Sequence, residues 1–319
     1  MICVTDINNY TSEVPCVVTL GKFDGVHRGH RKLISRVWQL ARQNGWRAAV
    51  FTFDVSPQVK LGARPQQMLM TNAERKALLR EMNMELLVEC PFTPELRSME
   101  AERFVQELLL DRLHTKAVIV GTDFHFGRDR GGSPELLQKL GPELGFAVEV
   151  IPKERSGDRD ISSSYIREEI REGRLEKAHE LLGYPYFITG DIVHGRHLGR
   201  TLGFPTINQL PEPQKLLPPY GVYVSRTKVA GKIWDGVTNI GMKPTVSGTS
   251  VSAETYLFDC SMDLYGQQAR VELLSWRRPE QKFASLEELQ NAVDHDIQDA
   301  DHYLQSTDPY RSDRWREKA

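Results

Sequence analysis

The feature that most restricts the fold of this chain is a change of hydrophobic pattern near its middle. Up to about Ile151, short apolar runs alternate with segments whose apolar residues recur at helical spacing. Strands that alternate with helices form a parallel sheet covered on both faces, so we predict an α/β first half. The predicted strands are residues 17–20, 48–53, 86–90, 117–120 and 146–151.

From about Tyr186, strand-like runs follow one another with Gly, Pro and Asn turns between them, which predicts an antiparallel barrel or sandwich. Ser285 and Glu288 have the spacing of a capping box ahead of a C-terminal helix. A helical segment broken at Gly173 is predicted to join the halves, so the expected domains are residues 1–185 and 186–319. The predicted strands of the second half are residues 187–193, 221–227, 232–240, 255–260 and 269–274.

Length and charge limit the class of protein. A chain of 319 residues suggests about two domains. Its 41 basic and 43 acidic residues give a net charge of −2, which argues against a general nucleic-acid binder. No apolar run approaches the ~20 residues of a membrane span, and residues 1–15 have no signal-peptide core.

The cysteines are scattered, without the paired spacing of a zinc or redox site, which fits reduced thiols in the cytoplasm. We therefore expect a cytoplasmic protein with small-molecule partners, no nucleic acid and no membrane, and the sequence leaves a homo-oligomer open. The cysteines are Cys3, Cys16, Cys90 and Cys260.

A glycine-rich turn with two histidines joins the first strong strand to its helix. Amides at a helix start favour an anion, and His27 and His30 add imidazole donors that can follow charge on phosphate oxygens. The turn thus predicts a nucleoside triphosphate site. Paired histidines can also be metal ligands or packing groups, although no nearby cysteine or third histidine favours zinc. The candidate residues are Gly21, Phe23, Asp24, Gly25, His27 and His30.

Two later elements of the first half could serve the same site. A loop with Asp123 and Phe124 follows a predicted strand and leads into arginines, which suits a ligand clamp or a solvated loop. Ser163, Ser164 and Arg167 open a helix, where hydroxyl, amide and guanidinium donors could stabilise phosphates. A simple helix cap with a surface arginine explains that second element equally well.

In the second half, Thr206 and Asn208 are two residues apart, so in an extended segment both project to one face. Their neutral oxygens suit Mg²⁺, which draws other ligands from water and substrate phosphates, while an ordinary hairpin is the alternative. Glu254 could accept a proton from a substrate hydroxyl or could simply face solvent.

The three elements of the first half together resemble the adenylyltransferase module of prokaryotic bifunctional riboflavin kinase/FAD synthetases, a Rossmann-like nucleotidyltransferase fold. The resemblance rests on the Gly-x-Phe-Asp-Gly-x-His-x-Gly-His turn, the Gly-x-Asp-Phe-x-Phe-Gly loop and the serine-rich helix start. It implies that His27 and His30 hold the ATP phosphates and stabilise the transition state. The implied pyrophosphate ligands are Ser163, Ser164 and Arg167, and the implied flavin-facing residues are Thr52, Asp54, Asp123 and Phe124.

This half departs from the commonest family pattern at three positions. Lys22 stands where asparagine is frequent, His125 where arginine is frequent, and Tyr165 where threonine is frequent. None of the three changes removes a phosphate-binding group of the predicted site. The change at His125 leaves open which ligand contacts that loop would make.

The second half resembles riboflavin kinases over residues 190–304, through Gly-Arg-x-Leu-Gly-Phe-Pro-Thr-x-Asn, Asn-Ile-Gly-x-x-Pro-Thr and Arg-Pro-Glu-x-x-Phe. This resemblance implies a six-stranded antiparallel Greek-key β-barrel with a C-terminal helix. It also implies that Thr206 and Asn208 bind Mg²⁺ with the nucleotide and that Glu254 is the general base. The other implied ATP or flavin residues are Gly195, Gly199, Arg200, Gly203, Pro205, Asn239, Arg278 and Glu280.

The two resemblances imply an enzyme that phosphorylates riboflavin to FMN and then adenylylates FMN to FAD, with ATP as co-substrate, Mg²⁺ as cofactor and pyrophosphate released. One alternative is another nucleotidyltransferase with an inactive barrel, and a second is a flavin-binding regulator without catalysis. A nucleic-acid-binding barrel is a third, and it would need a basic groove that the balanced charge does not support.

Overall fold

The computed structural model describes residues 1–54, 67–195, 203–245 and 248–306. The chain divides into two compact units, Met1–Ser163 and Ser164–Ala319. The first unit is an α/β structure and the second is built on an antiparallel sheet, as the change of hydrophobic pattern predicts.

The first unit contains a six-stranded parallel sheet in the order β1-β4-β3-β2-β5-β6. Every residue of β2 and β4 is buried, because parallel strands with helices on both faces have no solvent side. All five predicted strands are present, and β1 is an additional short edge strand. The strands are β1 (Ile2–Val4), β2 (Cys16–Leu20), β3 (Arg47–Phe53), β4 (Leu86–Cys90), β5 (Thr115–Gly121) and β6 (Ala147–Ile151).

Helices connect these strands, and their ends follow local sequence signals. The helix after β2 ends at Gly45, which adopts the left-handed conformation with φ 68°. Thr71 and Glu74 form a capping box at the start of the second helix, with both reciprocal hydrogen bonds present. The helices are α1 (Arg28–Asn44), α2 (Asn72–Glu81), α3 (Pro94–Ser98), α4 (Ala101–Phe104), a π-helix (Val105–Arg112) and α5 (Pro134–Leu144).

The strand order locates the edge at which a ligand can bind. Strand β2 lies between β3 and β5, and the chain builds the sheet in opposite directions from this point. The loops after β2 and β5 therefore diverge at the carboxyl edge and leave a crevice, which is where open α/β sheets bind ligands. The histidine turn follows β2 and the Asp123 loop follows β5, so both predicted elements lie at this crevice.

Two helices precede the barrel in the chain. Helix α6 (Ser163–Arg171) and helix α7 (Leu175–Leu182) are separated at Gly173, whose φ is 75°. The break that glycine predicts at this position is confirmed, because a left-handed residue cannot continue a helix. A small two-stranded hairpin, β7 (Arg155–Ser156) with β8 (Arg159–Asp160), lies ahead of them.

The second sheet has six antiparallel strands in the order β10-β13-β12-β11-β14-β9. Strands β11 to β13 form a meander and β14 returns to pair with β11, which is Greek-key topology. A bridge between Val193 and Asn208 joins the two ends of the sheet into a barrel. The strands are β9 (Phe187–Asp191), β10 (Thr206–Gln209), β11 (Gly221–Val229), β12 (Lys232–Thr245), β13 (Gly248–Leu257) and β14 (Gln268–Pro279).

The strand predicted at residues 255–260 lies earlier in the chain than expected. Strand β13 begins at Gly248, ends at Leu257 and includes the polar and small residues ahead of Glu254. These residues carry no strong strand pattern, and backbone pairing with β12 holds them in the sheet.

Helix α8 (Leu286–Ser306) covers one face of the barrel. Its Ala300, Tyr303 and Leu304 are buried in a cluster with Val222 and other valines of the barrel. The first turn of α8 is not part of this contact, since Leu286 is 59% exposed. Within the described ranges, no helix is long and apolar enough to cross a membrane.

Candidate active sites

The two histidines of the turn lie against each other at the start of α1. His27 is the N-cap residue, and its Nδ1 accepts a hydrogen bond from the His30 amide at 3.4 Å. The rings stack with centroids 3.7 Å apart and an interplanar angle of 19°. A Cβ at Gly29 would lie 3.3 Å from the His27 ring, so glycine leaves room for the stack. The sequence therefore places two imidazoles at the positive end of a helix dipole.

Both rings are neutral at pH 7. Burial lowers the pKa of His27 to about 4, and the nearby Asp123 carboxylate offsets part of that effect. Burial, followed by the neighbouring His27, lowers the pKa of His30 well below its ordinary value. A neutral imidazole offers one N–H donor and one acceptor. The Nδ1 atom of His30 has no hydrogen-bond partner among the described residues, so one buried ring nitrogen remains to be satisfied.

The turn itself is held in an unfavourable backbone conformation. Phe23 and Val26 have φ angles of 49° and 33°, where residues with a Cβ are uncommon. Phe23 is fully buried and packs on His30 with ring centroids 5.1 Å apart. A Cβ at Gly21 would lie 3.3 Å from the Phe23 ring. Packing thus maintains a strained turn under the histidines, and such strain is concentrated at functional sites.

Asp24 forms hydrogen bonds that connect this turn to distant segments of the chain. Its Oδ1 accepts hydrogen bonds from the amides of Leu69 and Met70 at 2.9 and 3.2 Å. Its backbone carbonyl accepts a hydrogen bond from Ser163 Oγ at 2.8 Å, so the predicted serine touches the turn. The adjacent Gly25 has φ 85°, a conformation that favours glycine.

The loop after β5 approaches the same crevice. The Asp123 carboxylate lies close enough to His27 for its charge to raise the pKa of that ring, against the larger effect of burial. It also forms an ion pair with Lys153 at 3.1 Å. Phe124 is partly buried and stacks on Phe126 with centroids 5.5 Å apart. The exposed His125 ring makes a hydrogen bond of 3.0 Å to the Asp123 carbonyl. The structure therefore brings the Asp123 loop to the histidine turn, as strand order requires.

Of the predicted flavin-facing residues at the end of β3, Thr52 contacts the turn and Asp54 contacts the start of α2. Thr52 is 1% exposed, and its hydroxyl donates to the Lys22 carbonyl at 3.4 Å. The Asp54 carbonyl accepts a hydrogen bond from the Asn72 side chain at 2.9 Å. Ser164 and Arg167 belong to the second compact unit, where Arg167 is buried in α6.

The sequence reasoning missed Arg75, which lies beneath this crevice. It is 7% exposed and donates a hydrogen bond of 3.0 Å to the Lys22 carbonyl. A signal was present, because Arg75 precedes Leu78 and Leu79 by three and four residues and so lies on the apolar face of α2. A charged residue at such a position needs a buried partner, which here is Glu89.

In the barrel, strand register brings three predicted residues into one row. Asn208 pairs with Glu254 across β10 and β13, and Glu254 pairs with Asn239 across β13 and β12. Residues directly opposite in an antiparallel sheet have Cβ atoms about 5 Å apart on the same face. The row therefore places a carboxylate between two amides, although the residues lie far apart in the chain.

Further polar groups surround this row. A Cβ at Gly241 would overlap the Glu280 carboxylate, so that predicted residue lies directly on the strand backbone. Lys243 forms an ion pair with Glu254, and Ser252 pairs with Gly241 in the next row. The Ser252 hydroxyl is buried without a hydrogen-bond partner in the part of the chain that the structure describes. The sequence analysis did not identify Lys243 or Ser252, although both alternate with predicted residues on their strands.

A cavity of about 70 Å³ opens beside the start of β10. Thr206 and Pro205 line it, together with the segment from Met262 to Tyr265. Gly195 lies against the Asn208 amide so closely that a Cβ would overlap it. Gly203 has φ 88°, and the predicted residues Gly199 and Arg200 lie outside the described residues.

Arg278 is held by the C-terminal helix. Its guanidinium forms two hydrogen bonds with the Asp296 carboxylate, of 2.8 and 2.6 Å. Its charge also lies 5.8 Å from the Phe283 ring centroid. The predicted residue thus anchors α8 beside the polar row.

Thr206 and Asn208 fit the chemistry of a magnesium site. Both lie on one face of β10, with Glu254 opposite Asn208. No group of three or more His, Cys, Asp or Glu side chains that could hold a metal ion occurs within the described ranges. A hydroxyl and an amide oxygen suit an ion that takes its remaining ligands from water and phosphates.

A parallel α/β unit with a histidine turn, followed by a Greek-key barrel, defines a nucleotidyltransferase joined to a barrel kinase. A family model for FAD synthetase matches residues 10–165, and one for riboflavin kinase matches residues 182–304. The chain belongs to the family of bifunctional riboflavin kinase/FMN adenylyltransferases, as its similarity to curated relatives also shows.

The relatives are named bifunctional riboflavin kinase/FMN adenylyltransferase, and two of them show the extent of the similarity. The Escherichia coli K12 protein is 37% identical over 92% of this chain and 94% of its own length. The Bacillus subtilis protein is 34% identical over 90% of this chain and 92% of its own length. A crystal structure described as a macrolide-efflux protein from Streptococcus pneumoniae is 28% identical, covers 96% of this chain and 98% of its own, and has a TM-score of 0.82. The whole fold is therefore shared along nearly its full length.

Proposed function

We propose that the chain makes FAD from riboflavin in two ATP-dependent steps, FMN formation in the barrel and adenylyl transfer in the first unit. It is a riboflavin kinase and an FMN adenylyltransferase, and ATP, riboflavin, FMN and FAD are its substrates and products. The observation that carries the division of labour is that each unit assembles its own polar site, the stacked histidines in one and the Asn208–Glu254–Asn239 row in the other.

In the kinase step, Glu254 accepts the proton of the terminal ribityl hydroxyl while that oxygen attacks the γ-phosphate of ATP. The bond between the γ-phosphorus and the β,γ-bridging oxygen breaks, and ADP leaves. Asn208 and Asn239 flank the carboxylate and orient the reacting groups. Thr206 and Asn208 would hold Mg²⁺, which when bound neutralises charge on the phosphates.

In the adenylyl step, an oxygen of the FMN phosphate attacks the α-phosphate of ATP and pyrophosphate leaves. The neutral rings of His27 and His30 donate hydrogen bonds to phosphate oxygens at the positive end of α1. Similarity to the family motif supports Ser163, Ser164 and Arg167 as ligands of the pyrophosphate. The same similarity supports the flavin-facing roles of Thr52, Asp54, Asp123 and Phe124.

Besides the roles of the individual site residues, four sequence-based expectations stay predictions. They are the domain boundary at residues 185–186, the cytoplasmic location, the lack of a nucleic-acid partner and the Mg²⁺ requirement. A homo-oligomer also remains open. None of these is needed for the assignment of the two reactions to the two units.

A separation-of-function experiment tests the proposal. The Glu254→Gln variant removes the general base, which typically accelerates a reaction about 10²–10⁴-fold. The rate of FMN formation from riboflavin should therefore fall by that factor. The variant should still convert FMN to FAD. The His30→Ala variant should do the reverse, with FAD formation about 10²–10³-fold slower. Chromatography of flavin products after incubation with ATP and Mg²⁺ measures both rates.

Exposed positions supply matched controls. Glu287→Gln on α8 and His114→Asn before β5 remove the same chemical groups away from either site, and both should leave the two rates unchanged. Loss of both activities in either test variant would contradict the division of labour. Full FAD formation by His30→Ala would remove the role assigned to that ring.

A further inference from the structure

A buried ion pair beneath the first site is not used in the chemistry described above. We infer that Arg75 is a positioning residue for adenylyl transfer, which fixes the histidine turn relative to the ends of the neighbouring strands. The inference rests on the proposed function of the first unit. In this role Arg75 contacts protein atoms and maintains the geometry of the turn.

The guanidinium of Arg75 joins three parallel strands at their carboxyl ends. One of its amino groups donates to the Lys22 carbonyl, just past β2, at 3.0 Å. The other donates to the Phe53 carbonyl at the end of β3 at 3.1 Å and to the Glu89 carboxylate in β4 at 2.5 Å. The same amino group reaches the Asn72 side chain at 3.1 Å, and Asn72 in turn binds the carbonyl after β3.

The energetics of this pair favour a geometric role. Arg75 and Glu89 are 7% and 8% exposed, and β4 is otherwise apolar. Well-packed apolar side chains in place of a buried ion pair are often as stable as the pair or more stable, so stability alone is a weak reason to keep it. A guanidinium is the side chain that can satisfy two carbonyls and a carboxylate at once through its planar set of donors.

The Lys22 carbonyl links Arg75 to the histidines. It accepts hydrogen bonds from both Arg75 and Thr52, and the next residue is the strained Phe23 that packs on His30. A shift of this carbonyl therefore moves the Phe23 ring and the imidazole above it. Misplacement of reacting groups by about 1 Å can cost about 10²-fold in rate.

The test is the Arg75→Met variant, which keeps an apolar stem and removes the donors. We expect kcat for FAD formation from FMN to fall about 10²-fold, while FMN formation by the barrel in the same sample stays unchanged. The matched control is Val88→Ala, a fully buried truncation next to Glu89 in β4, whose side chain projects to the opposite face of the strand from Glu89. It should lower the melting temperature and keep kcat for FAD formation close to the wild-type value.

A chemical rescue separates positioning from a general loss of structure. Millimolar guanidinium added to Arg75→Ala should restore part of the rate, because the ion can occupy the space of the missing group. Should Arg75→Met fail to fold, Arg75→Lys keeps the charge beside Glu89 but cannot serve both carbonyls, and kcat should then fall about tenfold, as one lost charged hydrogen bond predicts.

The outcomes are distinct. Equal losses of FAD formation in Arg75→Met and Val88→Ala at matched melting temperatures, or wild-type kcat in Arg75→Lys together with no guanidinium rescue, would overturn the inference. A wild-type protein that makes no FAD from FMN and ATP would instead contradict the proposed function.

Discussion

Acidification should loosen the first unit through the buried His27. Below pH 6.5 the unfolded chain takes up a proton on this imidazole, whereas the folded ring stays neutral until the pH reaches about 4. Because the unfolded state binds more protons in this window, the free energy of unfolding falls as the pH is lowered from 6.5 to 4 and levels off below both values. The stability contribution is fully present above pH 6.5.

The size of the effect follows from the two pKa values. Each unit of difference corresponds to about 1.4 kcal/mol, so His27 alone removes about 2.5 kcal/mol between pH 7 and pH 4.5. His30 acts in the same direction, since burial also lowers its pKa. The loss is a large fraction of the ~5–15 kcal/mol of a typical domain.

Hydrogen exchange of the β2 and α1 amides measures this unit separately from the barrel. At pH 7 and pH 4.5, exchange rates corrected for intrinsic chemistry give the opening free energy of each segment. The His27→Gln variant should lose about 2.5 kcal/mol less than wild type over this range. The exposed His114→Asn variant serves as the control and should follow wild type. If His27→Gln shows the wild-type pH dependence, the buried neutral imidazole is not the cause.

Two predictions concern the barrel. Gly241→Ala should reduce FMN formation and leave FAD formation from FMN intact, because the new methyl group would displace the Glu280 carboxylate, and product chromatography would show it. Equal FMN yields would contradict this placement. Asp296→Ala should lower the free energy of unfolding of the barrel by about 2 kcal/mol, because it leaves the Arg278 guanidinium without its carboxylate. Faster hydrogen exchange across α8 would show this loss. Unchanged protection of α8 would argue against the ion pair as an anchor of the helix.

The sequence predicted the sheet strands best where burial on both faces produces a continuous apolar run. The segment Leu86–Cys90 has the predicted bounds, although it includes the charged Glu89. Strand β1 (Ile2–Val4) was missed because its three residues have no pattern of their own and are held by pairing with β4. The first half of β13 was missed for the same reason.

The candidate sites likewise could be predicted only where their residues belong to one local segment. The histidine turn could be read from the sequence because its glycines and rings act within one local segment. The place of Arg75 on the apolar face of α2 signals burial, but its partners could not be read from the sequence. Its contact with Lys22 spans 53 positions and exists only after three strands have aligned. In the barrel, Asn208 and Glu254 were candidates from their chemistry and Asn239 from a resemblance. Only strand register shows that the three side chains share one face.

The contrast between the two sites follows from their nucleophiles. A ribityl hydroxyl is a poor nucleophile until it loses its proton, so the kinase site needs a carboxylate such as Glu254 within reach. The FMN phosphate is already an anion at pH 7, and a second negative charge beside it would oppose attack on ATP. Neutral rings such as His27 and His30, at the positive end of α1, supply donors without that repulsion. The low pKa of the histidines therefore agrees with the role proposed for them in adenylyl transfer.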